Sequence, residues 1–173
     1  QTLLGKGSRV GVEKETYPAA LELFRRLGVL PVVEDAAVRA HYVVDGILNP
    51  RGGSLPAPVR ERVLASQKPL IADEAYAELS FSGVLPRPLL ADARDRVFHV
   101  GTLSKTLSPG LRVGWLVPPR SQVKRVIELK QTADLQTSSI GQSVAESLLA
   151  HADYDQLLAH ARRFYQKRAD ALM

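Results

Sequence analysis

The sequence contains no cysteine in its 173 residues, which excludes disulfides, thiolate catalysis and thiolate metal ligation while leaving the compartment open. Its four histidines, at positions 41, 99, 151 and 160, lack metal-ligand spacing, so no metal site is expected. His99 stands in an apolar run and reads as a packed or hydrogen-bonded residue. No apolar run approaches the ~18 residues of a membrane span. The opening Gln-Thr-Leu-Leu-Gly-Lys-Gly does not have the form of a signal peptide. Internal repeats and low-complexity tracts are also missing.

An excess of one charge is nearly missing too. Lys and Arg number 23 against 18 Asp and Glu, a net charge of +5, and the basic residues are scattered. The densest group, Arg162, Arg163, Lys167 and Arg168, falls on a helical pattern in which Phe164 and Leu172 can face a core. It reads as a solvated helix face, so no nucleic-acid contact is expected through this domain. With 45% apolar residues the chain has material for about one domain with a sizeable core.

What the sequence does have is a concentrated set of functional groups at 102–114, Thr-Leu-Ser-Lys-Thr-Leu-Ser-Pro-Gly-Leu-Arg-Val-Gly. It follows a β-branched run at 96–101 with the character of a buried strand. Lys105 supplies an amine for a Schiff base, Thr102 and Ser104 supply hydroxyls for a phosphate, and Arg112 supplies a planar fork. The bland alternative is a solvated loop lysine.

Two further motifs favour the site. Pro-Leu-Ile-Ala-Asp-Glu-Ala-Tyr-Ala-Glu-Leu at 69–79 delivers Asp73 at a strand end and Tyr76 three residues later. A carboxylate there can pair with a protonated pyridine nitrogen, and a phenol can reach a ring oxygen; a helix-capping aspartate is the alternative. Ile-Leu-Asn-Pro-Arg-Gly-Gly at 47–53 places Asn49 after another apolar run. Asparagine, then aspartate and tyrosine, then lysine and arginine, each following a strand, would meet in one crevice of a doubly wound sheet.

These motifs resemble those of fold-type I pyridoxal-phosphate enzymes of the class I/II aminotransferase group, over nearly the whole chain. The resemblance implies an α/β fold, the large domain of a pyridoxal-phosphate-dependent transferase, with a mainly parallel sheet sandwiched by helices in three α/β/α layers. It implies pyridoxal 5'-phosphate as cofactor, with Lys105 as the Schiff-base lysine and proton carrier, Asp73 at the pyridine nitrogen, and Asn49 and Tyr76 at the ring oxygen. Thr102, Ser104 and Arg112 would hold the phosphate. Val-Glu-Lys-Glu-Thr-Tyr-Pro at 12–18 resembles the turn whose aromatic stacks on the ring, making Tyr17 the stacking candidate; a tyrosine before a helix-starting proline is its alternative.

The segment at 129–142 resembles the 2-aminoadipate and multi-substrate aminotransferase branch, which is shared with MocR-type regulators. There Thr137 and Ser138 would contact a neighbouring subunit or cap a helix. The implied activity is transfer of an amino group between an amino acid and a 2-oxo acid by a cytoplasmic homodimer. The alternatives are a pyridoxal-phosphate-binding effector domain of a MocR/GntR-type regulator, or a lyase, cyclase or decarboxylase on the same fold.

Coarse patterning predicts helices at 17–27, 57–66, 121–130 and 142–173, the last interrupted at 151–155. Strands are predicted at 29–33, 42–48, 69–73, 96–101 and 113–117, and a proline-rich loop at 81–92. Three departures from the family pattern stand out. Leu48 follows Val33 by only 15 residues, Arg51 replaces a threonine, and Lys14-Glu15 replaces an acidic-proline pair. The resemblance begins near the helix after the phosphate loop and stops before the small domain. The chain is therefore expected to be a fragment lacking an N-terminal segment and the small domain, with the substrate-carboxylate arginine outside it.

Overall fold

The computed structural model describes residues 3–33, 37–151 and 153–172. Its centre is a six-stranded sheet built from β1 (Arg9–Val12), β2 (Leu30–Val33), β3 (Ala40–Val44), β4 (Leu70–Asp73), β5 (Val97–Thr102) and β6 (Gly114–Val117), in the order β2-β1-β3-β4-β5-β6. All neighbours are parallel except β5 and β6. The helices are α1 (Pro18–Arg26), α2 (Ala57–Ala65), α3 (Leu89–Asp92), α4 (Val123–Asp134), α5 (Ser139–His151) and α6 (Tyr154–Asp170).

Strand alternation divides the core in two. On the α1 side Val10, Val12, Tyr42 and Val44 pack with Phe24 and Leu48. On the other side Val43, Leu70, Ala72 and Val97 pack with Val63 of α2 and Leu89 of α3. This is the expected three-layer α/β/α arrangement.

Local chemistry explains where the elements end. Pro18 opens α1 at a position that needs no donor, and Gly28, at φ +70°, follows its end. The strand expected over 42–48 ends at Val44 because the buried Asp45 carboxylate accepts from the Gly46 N–H at 2.9 Å. Gly46 then turns the chain at φ +90°, where a Cβ would lie 2.5 Å from Ala77 Cα. That close approach presses the loop before Asn49 against the segment carrying Tyr76.

Three other boundaries differ from expectation. A short helix, α3, forms at the end of the proline-rich loop, with Leu89 fully buried. Helix α4 runs on to Asp134, where Lys130 and Asp134 pair at 3.0 Å across one turn. Helix α5 begins at Ser139 because Ser138 Oγ accepts from the Gly141 N–H at 3.3 Å, so Ser138 is a helix cap. The expected break near 151–155 is present, and Asp153 caps α6 through the Gln156 N–H.

The connection from β2 to β3 covers only positions 34–39, where a parallel crossover commonly needs a dozen residues or more and carries a helix. A cavity of about 590 Å³ lies between α2 and the strand faces bearing Gly11, His41 and Val43. It contains none of the predicted site residues.

Candidate active site

Strand β1 lies between β2 and β3, and the sheet grows outward from it in both directions. Loops leaving the carboxyl ends of the parallel strands beside such a reversal face a common crevice. Tyr17 follows β1, Asn49 follows β3, Asp73 ends β4 with Tyr76 just beyond it, and Lys105 follows β5. These five side chains, with Val44 and Ala75, line one cavity of about 50 Å³.

Asp73 is the most firmly held of them. Its Oδ2 accepts from the Tyr42 hydroxyl at 2.8 Å, and its Oδ1 accepts from the Ala75 N–H at 3.3 Å. Tyr42 is buried on β3, with its ring edge-on to Phe24 of α1 at a centroid distance of 5.5 Å and an interplanar angle of 77°. Burial first, then the Asp73 charge and hydrogen bond, pushes the Tyr42 phenol far above its ordinary range, so it remains a neutral donor.

Lys105 is exposed, with Nζ 5.3 Å from the Tyr76 ring centroid. An exposed amine beside an aromatic face remains free to reach a carbonyl carbon in the cavity. Tyr17 precedes Pro18 at the start of α1 and is 38% exposed, leaving ring surface open toward the cavity it lines.

The lysine loop is a closed turn. The Leu103 N–H donates to Val113 O at 3.0 Å, and the Leu107 and Ser108 N–H groups donate to Leu103 O at 3.0 and 3.2 Å. Ser108 Oγ accepts from Gly110 N at 3.3 Å, and Arg112 sits in the left-handed region at φ 52°. A non-glycine residue there is uncommon and commonly marks a functional loop.

Thr102 departs from its expected role. Its hydroxyl donates to Val113 O at 3.0 Å and accepts from Ser104 N at 3.1 Å. A hydroxyl has one proton, so in this geometry Thr102 braces the loop and has no donor left for a phosphate. Ser104 and Arg112 belong to the same turn but do not line the small cavity.

A layer of paired charges lies behind the crevice. His99 Nδ1 is 3.1 Å from Glu74 Oε1, and this carboxylate raises the imidazole above its ordinary pKa against the opposing effect of burial. His99 is thus a packed histidine of β5 set beside a carboxylate, in keeping with its apolar context. Arg60 reaches both Asp45, at 3.4 Å, and Asp92, while Arg87 holds Asp92 at 2.7 Å. Burial raises the Asp45 pKa, and its Gly46 hydrogen bond works against that rise.

Glu13 joins β1 to β3 by accepting from the Val44 N–H at 3.2 Å. Helix α6 fastens the far side of the Tyr76 segment. The Tyr154 hydroxyl donates to Glu78 Oε2 at 2.9 Å and Arg162 Nε donates to Glu78 O at 2.8 Å.

Tyr42, Glu74, Tyr154 and Arg162 are contributors that motif reading misses. Tyr42 had a usable signal, because strand alternation places it on the same face as Val44, which lines the cavity. Glu74 had adjacency to Asp73. Tyr154 and Arg162 had none, since their partner Glu78 is 76 and 84 positions away in sequence.

Comparison with known proteins places this geometry. The chain is 31% identical to an uncharacterized HTH-type transcriptional regulator, YisV, of Bacillus subtilis, over 98% of this chain and 40% of the regulator. It is 30% identical to a 2-aminoadipate transaminase of Thermus thermophilus, over 100% of this chain and 50% of that protein. That alignment runs over 198 positions, more than the 173 residues here, so the transaminase carries residues within the matched stretch that this chain lacks.

Among solved structures, the α-aminoadipate aminotransferase LysN of Thermus thermophilus, complexed with N-(5'-phosphopyridoxyl)-L-leucine, superposes with a TM-score of 0.88 at 30% identity. The match covers 98% of this chain and 50% of that one. The chain therefore spans half or less of each of these relatives. The family described as aminotransferase class I and II matches residues 33–173. A match over most of the sheet, the lysine loop and all three C-terminal helices leaves one assignment: the chain belongs to the aminotransferase class I and II family.

Proposed function

We propose that this chain is the cofactor-binding part of a pyridoxal-phosphate-dependent aminotransferase that moves an amino group between an amino acid and a 2-oxo acid. The observation that carries the reading is the convergence of Lys105, Asp73, Asn49, Tyr76 and Tyr17 on one cavity at the carboxyl end of the sheet. The donor set fits the cofactor group by group. There is an amine for the aldehyde, a carboxylate for the ring nitrogen, an amide and a phenol for the ring oxygen, and an aromatic face for the ring. Ser104 and Arg112 supply a hydroxyl and a guanidinium for the phosphate. The enclosed space of about 50 Å³ admits only part of a ring, so further walls would come from the longer protein.

When bound, pyridoxal phosphate supplies an aromatic ring that accepts the electron pair left on the substrate α-carbon. Lys105 would bind the aldehyde carbon and, once displaced by the substrate amine, take the α-proton and return it two atoms along, to the former aldehyde carbon. Asp73, held by Tyr42 and the Ala75 N–H, would keep negative charge at the ring nitrogen and so a proton on it. Asn49 and Tyr76 would donate to the ring oxygen, and Tyr17 would cover a ring face. Thr102 would hold the loop that presents Ser104 and Lys105.

We place the protein in the cytoplasm as a homodimer, with Thr137 and the Ser138-capped start of α5 facing the neighbouring subunit, and with no nucleic-acid contact through this domain. A second reading has specific support, since the regulator YisV is as similar to the chain as the transaminase is. In it the same crevice binds pyridoxal phosphate as an effector domain of a MocR/GntR-type regulator. Lyase, cyclase and decarboxylase chemistry would use the same anchors.

The deciding experiment is an absorbance spectrum of the intact protein with pyridoxal phosphate, before and after a panel of amino acids, with and without 2-oxoglutarate. Conversion of the bound cofactor to its amine form and its restoration by the keto acid is the expected result. A band that amino acids perturb without turnover supports the regulator.

A further inference from the structure

Tyr42 is buried to 4% exposure, and the mechanism above gives its hydroxyl no chemistry of its own. Its ring alone would be served equally well by phenylalanine, because the contact with Phe24 is a hydrocarbon edge-to-face packing. A buried hydroxyl costs free energy unless it is paired. This one is paired with an oxygen of the very carboxylate that faces the crevice, Asp73 Oδ2, at 2.8 Å.

The pairing follows from the sheet. Strands β3 and β4 are parallel with Tyr42 opposite Ile71 and Val44 opposite Asp73. Tyr42 therefore lies two residue pairs below the carboxylate and on the same face of the sheet, within reach of a phenol. Phe24 of α1 packs edge-on against the ring.

Resting on the reading of the crevice as a pyridoxal-phosphate site, we infer that Tyr42 is a positioning residue that decides where the proton between Asp73 and the cofactor ring nitrogen resides. A neutral phenol can only donate to a carboxylate, so the bond favours the ionised form of Asp73. The Ala75 N–H donates to the other oxygen, at 3.3 Å. With both oxygens accepting, Asp73 competes poorly for the shared proton, which is left on the ring nitrogen. Phe24 acts one step further out by limiting the swing of the Tyr42 ring.

The test uses the intact protein reconstituted with pyridoxal phosphate labelled with ¹⁵N in the ring, and reads the ring-nitrogen chemical shift. In the native protein the shift is expected at the protonated value. In Tyr42→Phe it is expected part of the way to the unprotonated value. The turnover number should fall about tenfold with KM for the amino acid unchanged, the scale of one hydrogen bond to a charged group.

A second variant carries 4-aminophenylalanine at position 42, which keeps ring shape and a weaker donor. It should displace the shift and the rate from the native values by less than Tyr42→Phe does, a displacement read against the native protein even where Tyr42→Phe does not fold. A native-like nitrogen shift in the folded variants overturns the inference and leaves the site reading intact. A native protein that binds no cofactor overturns the site reading and the inference with it.

Discussion

The sheet with its two packed faces and the chain beyond the lysine loop are built on different terms. Both hydrophobic clusters draw their buried residues from positions 4–97. Beyond Leu103 the buried apolar residues are Pro119, Ala145 and Leu158, among the described residues. Strand β6 is exposed at all its positions, Leu135 is 85% exposed and Ile140 is 77% exposed. Helix α4 has no buried residue although its apolar positions follow a helical stripe. The first region makes its own core. The second carries amphipathic helices whose apolar faces have little to cover them in this chain.

The crevice sits on the seam between these regions. Asp73, Asn49 and Tyr17 rise from the packed sheet, whereas Lys105 and Arg112 stand on the exposed loop at its border. Precision is thus concentrated on the Asp73 side, where the carboxylate has two donors and Tyr42 a packed ring. The lysine side is shaped mainly by backbone hydrogen bonds of the turn.

The largest expected effect separates chemistry from stability at this seam. Lys105→Ala should abolish the cofactor's visible band and lower turnover by about a thousandfold or more, the scale of losing a positioned proton carrier. Denaturant unfolding should barely change, because the side chain is exposed. A variant that kept the native band would break the assignment.

The converse substitution probes the core. Leu70→Ala removes a fully buried side chain on β4 and should cost about 3 kcal/mol. Leu135→Ala, at an 85% exposed position, should stay within about 0.5 kcal/mol. Equal costs in urea titrations of the two would erase the contrast between the regions. Asp73→Asn, between these extremes, should lower turnover by about a hundredfold and weaken cofactor binding far less, and unchanged turnover would refute the role given to Asp73.

The smallest effect is a pH dependence. The His99 pKa is raised in the folded state, chiefly by the Glu74 carboxylate. Its contribution to stability is therefore fully present below its ordinary pKa of 6.5 and is lost as pH rises through the raised value. His99→Gln should flatten that limb of the stability–pH curve, read as unfolding midpoints above pH 6. A parallel curve in the variant would assign the dependence elsewhere.

Much of this was legible in the sequence, because strands ending in chemically distinctive residues announce both an element and its function. Asp73, Asn49 and Lys105 each stood at such an end, and the structure brings them together. Boundaries were harder. Strand β3 stops at Val44 through a side-chain bond from Asp45 and a glycine conformation that hydrophobicity does not encode. The occupation of the Thr102 hydroxyl depends on Val113, 11 positions later, across a turn whose closure no local pattern dictates. Tyr42 meets Asp73 only through the register of two strands, 31 positions apart.

Reduction would trap pyridoxal phosphate wherever it forms a Schiff base, and so tests Lys105 as its anchor in the crevice. The intact protein would be incubated with pyridoxal phosphate, reduced with borohydride, digested and analysed by mass spectrometry for the phosphopyridoxyl group. That group is expected on Lys105, with none on this residue when an excess of amino-acid substrate is present before reduction. Labelling spread over surface lysines, or a single label on another lysine, would contradict it.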